Sequence, residues 1–282
     1  MAEPREPARS VGRRSVLKAL IAAGVGGVAG TGAYGVLYER RQLEVTYADV
    51  PVSGLPDALS GLRIGLMTDL HRSLTVPRED VDRAVRLMRL EQPDLIVLGG
   101  DYVSWQDLAY VDDVAEALSA LTAPHGVFAI LGNHDDERAM PAALTARGIE
   151  VLTDARTHLE IACEGLELIG LRFWTRRATD VIRILTGTTS PAILLAHDPR
   201  RLIEAVALNL PVVLSGHTHG GQIILPGLGA VAARKFPIAS GLLTRENTTL
   251  FVSRGVGTVY LPFRLNCPPD IAVLTLQRQS RI

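Results

Sequence analysis

The sequence predicts an α/β domain, and three observations carry that prediction. Apolar runs of strand length recur along the chain and each stops at a polar residue. Segments of helical period separate the first of them. Asp69, Asp101 and Asn133, at three successive stops, stand 32 residues apart, the usual length of one parallel crossover unit. Ligands of open α/β sheets gather beyond the carboxyl ends of the strands, so the loops carrying these residues are expected to meet in one cleft.

The 282 residues, 30.3 kDa, suffice for one large domain or two small ones. With 29 basic against 30 acidic residues the net charge is −1, and no specific nucleic-acid binding is expected. The mean hydropathy of +0.20 owes part of its excess to the N-terminus. There Arg5, Arg9, Arg13, Arg14 and Lys18 precede Ala19 to Tyr38, a run without formal charge that is long enough to cross a bilayer but interspersed with glycine. Within this flank, Arg13-Arg14-Ser15-Val16-Leu17-Lys18 resembles the twin-arginine export signal, with Val16 in place of the usual Phe. Residues 1–40 therefore read as a twin-arginine-type signal or membrane anchor, with cleavage and retention both open. The expected partners of this segment are the twin-arginine export machinery and the membrane. The expected location is the outer face of the cytoplasmic membrane, the periplasm or the cell wall. Cys163 and Cys267 make no disulfide framework and read as small inert side chains.

Residues 41–282 form the remaining domain. Gly61 to Thr68 reads as a buried strand stopping at Asp69-Leu70-His71. Val81, Ala84, Val85 and Met88 recur at helical spacing before Leu95 to Leu98 and Gly99-Gly100-Asp101. An amphipathic segment from Val111 to Leu121 leads to the strand Gly126 to Leu131 and then Gly132-Asn133-His134-Asp135. Thr157 to Cys163 and Leu166 to Leu171 read as a hairpin around Glu164-Gly165. Further strands are Ala192 to Ala196, ending at His197, and Pro211 to Ser215, ending at His217 and His219. Five strand exits thus carry seven candidate ligands.

Carboxylates and imidazoles in this pattern suit metal binding. An i, i+2 pair such as His217 and His219, or Asp69 and His71, projects from one side of an extended backbone, and the flanking glycines let the chain approach an ion closely. Each residue also has a plain reading: Asp69 or Asp101 as a helix cap, Asn133 as a turn residue, His197 as a core histidine. Jointly, uncompensated polar groups at so many sheet ends are hard to explain as packing. Asp135 and Asp198 read as fixing their loops. His125 and His158 match no motif and read as structural or exposed.

The ordered set formed by Asp69-Leu70-His71, Gly99-Gly100-Asp101, Gly132-Asn133-His134-Asp135, Ala196-His197-Asp198 and Gly216-His217-Thr218-His219-Gly220 resembles the calcineurin-like metallophosphoesterase family. It spans essentially everything after the export segment. The stretches Gly220-Gly221-Gln222-Ile223, Arg254-Gly255-Val256-Gly257, Pro262-Phe263-Arg264 and Asn266-Cys267-Pro268-Pro269 resemble the bacterial branch of twin-arginine-exported phosphodiesterases. The resemblance implies a four-layer α/β/β/α sandwich of two mixed sheets, the metallo-dependent phosphatase fold. It also implies two divalent ions: Asp69, His71 and His219 would join Asp101 at the first, and Asn133, His197 and His217 would join it at the second. Asp101 is the expected bridge, since its two oxygens can reach both ions. A shell of O and N donors without thiolate suits Mn or Fe first, with Zn possible.

The function so implied is a binuclear metal-dependent phosphoesterase, either a phosphodiesterase or a pyrophosphatase. Metal-bound hydroxide would attack phosphorus, and His134 would protonate the departing oxygen. In some relatives an aspartate three residues after the bridging acid orients this histidine, whereas Ser104 stands there here. The alternatives are a non-catalytic metal-binding scaffold on the same fold, or a phosphomonoesterase or protein phosphatase. Leu225 to Val231 and Phe236-Pro237-Ile238 supply apolar loop material, readable as ordinary packing or as a membrane-facing cover. Such a cover would admit a lipid-linked phosphodiester or pyrophosphate, with Arg264 or Lys235 touching its phosphates.

Overall fold

A computed structural model describes residues 24–188 and 191–279; the Arg13-Arg14 pair and the start of the uncharged run lie outside them. Two six-stranded mixed sheets face each other. The first runs in the order β1 (Glu44–Val52), β12 (Asp270–Arg278), β2 (Arg63–Met67), β3 (Leu95–Leu98), β4 (Val127–Ala129) and β5 (Glu150–Val151). The second runs β10 (Gly241–Arg245), β11 (Thr248–Val252), β9 (Val212–Ser215), β8 (Ala192–Ala196), β7 (Glu164–Leu171) and β6 (Ala155–Ile161). β2 to β5 are mutually parallel, as are β7, β8, β9 and β11, so each sheet delivers its strand ends to a common edge.

The apolar strands are buried on both faces, and their alternating residues divide between two cores. Ile64, Leu66, Leu95 and Val97 point between the sheets and meet Leu168, Ile193, Leu195, Leu214 and Phe251. The intervening Met67, Ile96 and Leu98 face outward onto α2 (Arg78–Glu91), α3 (Val111–Leu118) and α4 (Ala139–Thr145). On the other side Leu194, Ala196 and Val213 pack against α5 (Ala178–Leu185) and α6 (Leu202–Ala207). These three cores make the four layers. Each fully buried leucine or isoleucine contributes roughly 1.5–3 kcal/mol.

α2 begins after Pro77 with Glu79 and Asp80 in its first turn, and ends where Gln92 turns left-handed at φ 49°. The hairpin of β6 and β7 turns at Ala162-Cys163, two residues earlier than Glu164-Gly165. Both turn residues have positive φ, 51° and 64°, the geometry that matches strand twist in a two-residue turn, and Gly165 instead pairs with Glu160 inside the ladder.

The described part of the N-terminal segment is helical: α1 covers 24–33, and a π turn at Tyr34–Tyr38 and a 3-10 turn at Glu39–Arg41 follow. Contacts cross the expected boundary at residue 40. Gly35 lies where a Cβ would come within 2.2 Å of the Phe263 ring, and its carbonyl accepts from Arg264 N–H. Buried Glu39 accepts the backbone N–H of Cys267 at 2.6 Å. No helix among the described residues is long and apolar enough to cross a membrane.

Candidate metal centre

At the common edge, the exits of β2, β3, β4, β8 and β9 converge. Asp69, His71 and His219 form one buried cluster whose donor atoms lie within 4.8 Å of one another, and Asp101, His197 and His217 form a second. Five of these six residues, Asp69, His71, Asp101, His217 and His219, have positive φ between 50° and 70°. That region is uncommon for residues with a Cβ; here the chain turns sharply in the loop just past each strand and swings a donor into the cleft. Glycines permit the crowding: a Cβ on Gly132 would sit 2.0 Å from Asp101 Oδ1, and one on Gly216 would sit 2.2 Å from Asp69 Oδ2.

The clusters touch at Asp101. Its Oδ1 accepts His134 N–H at 2.8 Å, which leaves Oδ2 between His71 Nε2 at 3.5 Å and His197 Nε2 at 3.1 Å. A single oxygen, rather than one oxygen for each cluster, therefore faces both sides. Asp69 is held by His217 N–H at 3.0 Å, and its Oδ1 lies 3.3 Å from His219 Nε2. His197 donates Nδ1–H to Gly99 O at 2.8 Å, which turns its Nε2 toward Asp101. Asn133 shares the cleft wall with Asp101, and its Oδ1 is buried without a hydrogen-bond partner among the described residues.

The electrostatics follow from burial and from the two carboxylates. Burial lowers His71 to about 3 and His217 to about 4, and it drives His219 well below its usual value. Burial also opposes charge on His197, but Asp101 and Asp69 outweigh it and raise its pKa to about 10. Asp101 is disfavoured as an anion by burial, yet His197 and His71 keep it well below the usual carboxylate range. The donor set fits two divalent cations: burial keeps His71, His217 and His219 neutral, Asp101 is ionised, His71 Nε2 faces His219 Nε2 at 3.1 Å, and the proton on His197 is one a cation would displace.

Asp135 anchors the site from behind. Its carboxylate accepts the N–H groups of Asp101, Tyr102 and Gly132 at 2.8 to 2.9 Å. Asp198 caps its own loop by accepting Arg200 N–H at 3.0 Å. Ser104 does not reach His134: its hydroxyl lies 3.3 Å from His71 Nδ1, while His134 Nδ1 accepts the backbone N–H of Trp105 at 3.0 Å. Burial lowers the pKa of His134. Lys235 lines the cleft beside Phe236.

Arg264 corrects the expectation that it touches substrate. It is fully buried, and its guanidinium donates to the carbonyls of Arg254, Gly255, Gly257 and Cys267. It braces the loop that lies against Asp69, where Gly257 N–H meets Asp69 O at 2.7 Å. The sequence reading also passed over Phe173, Trp105 and Tyr260. Phe173 and Phe236 flank His217, each with ring centroids 5.3 Å away, and Trp105 packs edge-on to both His134 and Tyr260. Phe173 stands just past the exit of β7, a sixth strand end that carries no ligand-type residue.

Fold and donor set together define a metallohydrolase built on two facing sheets. The calcineurin-like phosphoesterase family matches residues 62–221. The chain is 30% identical over 264 residues to a transmembrane protein with metallophosphoesterase domain from Danio rerio, covering 87% of this chain but only 60% of that protein's length. It is 29% identical over 282 residues to the metallophosphoesterase YkuE of Bacillus subtilis, covering 95% and 99% of the two chains. With the phosphodiesterase YaeI of Escherichia coli it shares 30% identity over 233 residues, covering 78% and 84%. The chain belongs to the calcineurin-like metallophosphoesterase family and is a metal-dependent phosphoester hydrolase.

Proposed function

We propose that this chain is a two-metal phosphodiesterase or pyrophosphatase that acts outside the cytoplasm on a phosphoester bearing an apolar tail. The observation that carries the two-metal reading is the meeting of two three-residue clusters at Asp101 Oδ2. Bound there, divalent cations lower the pKa of water to about 7 and neutralise phosphoryl charge. Mn or Fe suits the donors best, and Zn also fits.

The chain's own groups supply the rest. Asp69, His71 and His219 would hold one ion and Asn133, His197 and His217 the other, with Asp101 shared. Nδ1 of His134 accepts a hydrogen bond, so in the neutral ring Nε2 carries the proton and is the donor for the departing oxygen. Lys235 on the cleft wall is placed to offset phosphate charge.

The apolar tail is inferred from the metal cleft, about 530 Å³, whose outer wall is built of Ile223, Leu225, Val231, Phe236 and Leu261. The N-terminal segment meets the domain at Phe263 and Arg264, just beyond Tyr260 and Leu261 of that rim. A membrane engaging the uncharged run ahead of Gly35 would thus lie beside the mouth of the site. Leu228, in the same loop, is exposed and is not among the residues lining the cleft.

The test is hydrolysis of bis(p-nitrophenyl) phosphate beside the monoester, by full-length chain stripped of metal and reloaded with Mn, Fe or Zn. Metal-dependent diester cleavage is expected; bound metals without turnover of either ester would favour the scaffold. A lipid-linked diester should lose turnover in Leu225→Ser/Val231→Ser while a soluble diester does not; equal behaviour would remove the apolar tail. Arg13→Lys/Arg14→Lys should retain the protein in the cytoplasm, and normal export of that variant would remove the twin-arginine route.

A further inference from the structure

A second cleft, about 570 Å³, adjoins the metal cleft and shares Tyr260 and Leu261 with it. Its walls include Trp105, Tyr110, Tyr260, Asp107, Thr258 and Leu74, and Ser104 lines it where that residue touches His71. Its chemistry differs from the apolar wall across the metals: three aromatic rings stand among hydroxyls and a carboxylate. We propose that this cleft is a subsite for a planar, hydrogen-bonding ring, a nucleobase, carried by the departing half of the substrate. This rests on the proposed phosphoester hydrolysis and names one arm of its substrate.

Two independent features support a built site. Trp105 and Tyr260 are 60% and 78% exposed, and their rings are 5.0 Å apart at 72°. Both residues have positive φ, 58° and 62°, so large rings are presented to solvent against backbone preference. The Tyr260 loop is clamped by the Gln222 side chain, which accepts Val259 N–H and donates to the carbonyls of Val259 and Leu261. Tyr110 is steadied by the Arg72 guanidinium, 4.4 Å from its ring. Such a rigid aromatic wall is what base faces stack on.

The second feature is Thr258. It is 5% exposed and lines the cleft, yet its Oγ1 has no hydrogen-bond partner among the described residues. A buried hydroxyl without a partner is costly, and a rotation of the Thr258 side chain toward the cleft would let it donate to a ring nitrogen or exocyclic oxygen. An acyl chain would leave Thr258 unsatisfied and would desolvate Asp107. The position also fixes which half of the substrate lies here: Trp105 supplies both a wall of the cleft and the N–H that holds His134. The group leaving beside His134 is the one this cleft receives.

The test is competitive inhibition of bis(p-nitrophenyl) phosphate hydrolysis by the Mn-loaded full-length chain, with adenosine and uridine monophosphates against methyl phosphate and octyl phosphate. The nucleotides should bind about tenfold more tightly than methyl phosphate, and Tyr260→Ala and Thr258→Val should each remove most of that advantage while shifting methyl phosphate less than about twofold. Equal inhibition by nucleotides and methyl phosphate would overturn the proposal. Variants that weaken octyl phosphate and spare the nucleotides would overturn it too, assigning the cleft to an acyl chain. If the diester is not hydrolysed at all, the hydrolase reading fails first. The subsite is then decided by quenching of tryptophan fluorescence on nucleotide titration, expected in the wild type and lost in Trp105→Phe; no quenching would reject it.

Discussion

Trp105 gives its backbone N–H to Nδ1 of His134 at 3.0 Å, and His134 returns its carbonyl to Gln106 N–H at 2.8 Å. A backbone donor cannot be lost by side-chain substitution, so the proton of the neutral ring is held on Nε2 without the carboxylate found in some relatives. Replacing Ser104 should therefore disturb His71, its actual neighbour, more than His134.

His134→Ala should keep both metals and lower kcat about 10²- to 10⁴-fold, the range for loss of a positioned proton donor. The loss should be smaller for p-nitrophenoxide, a good leaving group, than for an alkoxide. Metal content and kcat on a series of leaving groups check this. Loss of metal in the variant would make His134 a ligand instead.

Asp135→Asn should separate support from ligation. Asp135 accepts three buried N–H groups from the two loops that present Asp101 and Asn133. An amide can keep only part of that set, and a buried donor left unsatisfied costs about 1–3 kcal/mol. Thermal unfolding should move down, and metal affinity should fall about 10- to 100-fold, as for other groups that orient ligands. Unchanged metal binding would reduce Asp135 to a folding role.

The strand ends were legible because an apolar run that stops at Asp69, Asp101 or His197 states both the element and its exit. Other parts were not. β1 pairs along its whole length with β12, some 220 residues away, and its outer residues alternate in burial too irregularly to announce a strand. Arg264 looked like a phosphate contact because it is an arginine near the site motifs; that four carbonyls close around it depends on loop geometry. The walls made by Trp105, Phe173 and Tyr260 were invisible for the same reason, since they arise from turns rather than from periodicity.

Stability of the metal-free protein should peak near pH 6.5. His197 has its folded pKa raised to about 10, so its contribution is fully present below about 6.5, the unfolded value, and is lost as pH rises through 10. His71 and His217 are lowered to about 3 and 4, so the unfolded chain takes up protons first and stability falls as pH drops below about 6.5. Asp69 and Asp135 make this limb shallower, because their buried carboxyls are raised to about 6 and 7 and so take up protons first in the folded state. Chemical denaturation of EDTA-treated protein across this range reads both limbs. Metal loading should flatten the alkaline limb, because a cation replaces the proton on His197.

Arg264→Lys should fail on stability rather than on substrate affinity. One ammonium cannot span four carbonyls that a planar fork joins, and breaking a buried charged network costs about 3–5 kcal/mol. The melting temperature should drop while KM of the remaining folded enzyme stays near wild type. A raised KM with an unchanged melting temperature would restore a direct substrate contact.

Gly216→Ala should remove one metal and spare the other. Gly216 does not have positive φ, so alanine carries no backbone penalty of that kind. Its Cβ would, however, fall 2.2 Å from Asp69 Oδ2 and 2.6 Å from Thr68 Oγ1. Asp69 must then shift away from His219 and His71 and loosen its hold on His217 N–H, so the first position is lost and the second, which keeps Asp101, His197 and Asn133, is weakened only through His217. Metal analysis should give close to one ion per chain where the wild type holds two, with diester turnover lost. Two ions retained at wild-type affinity would mean that Asp69 is not needed at the first position, and the partition of ligands between the clusters would have to be redrawn.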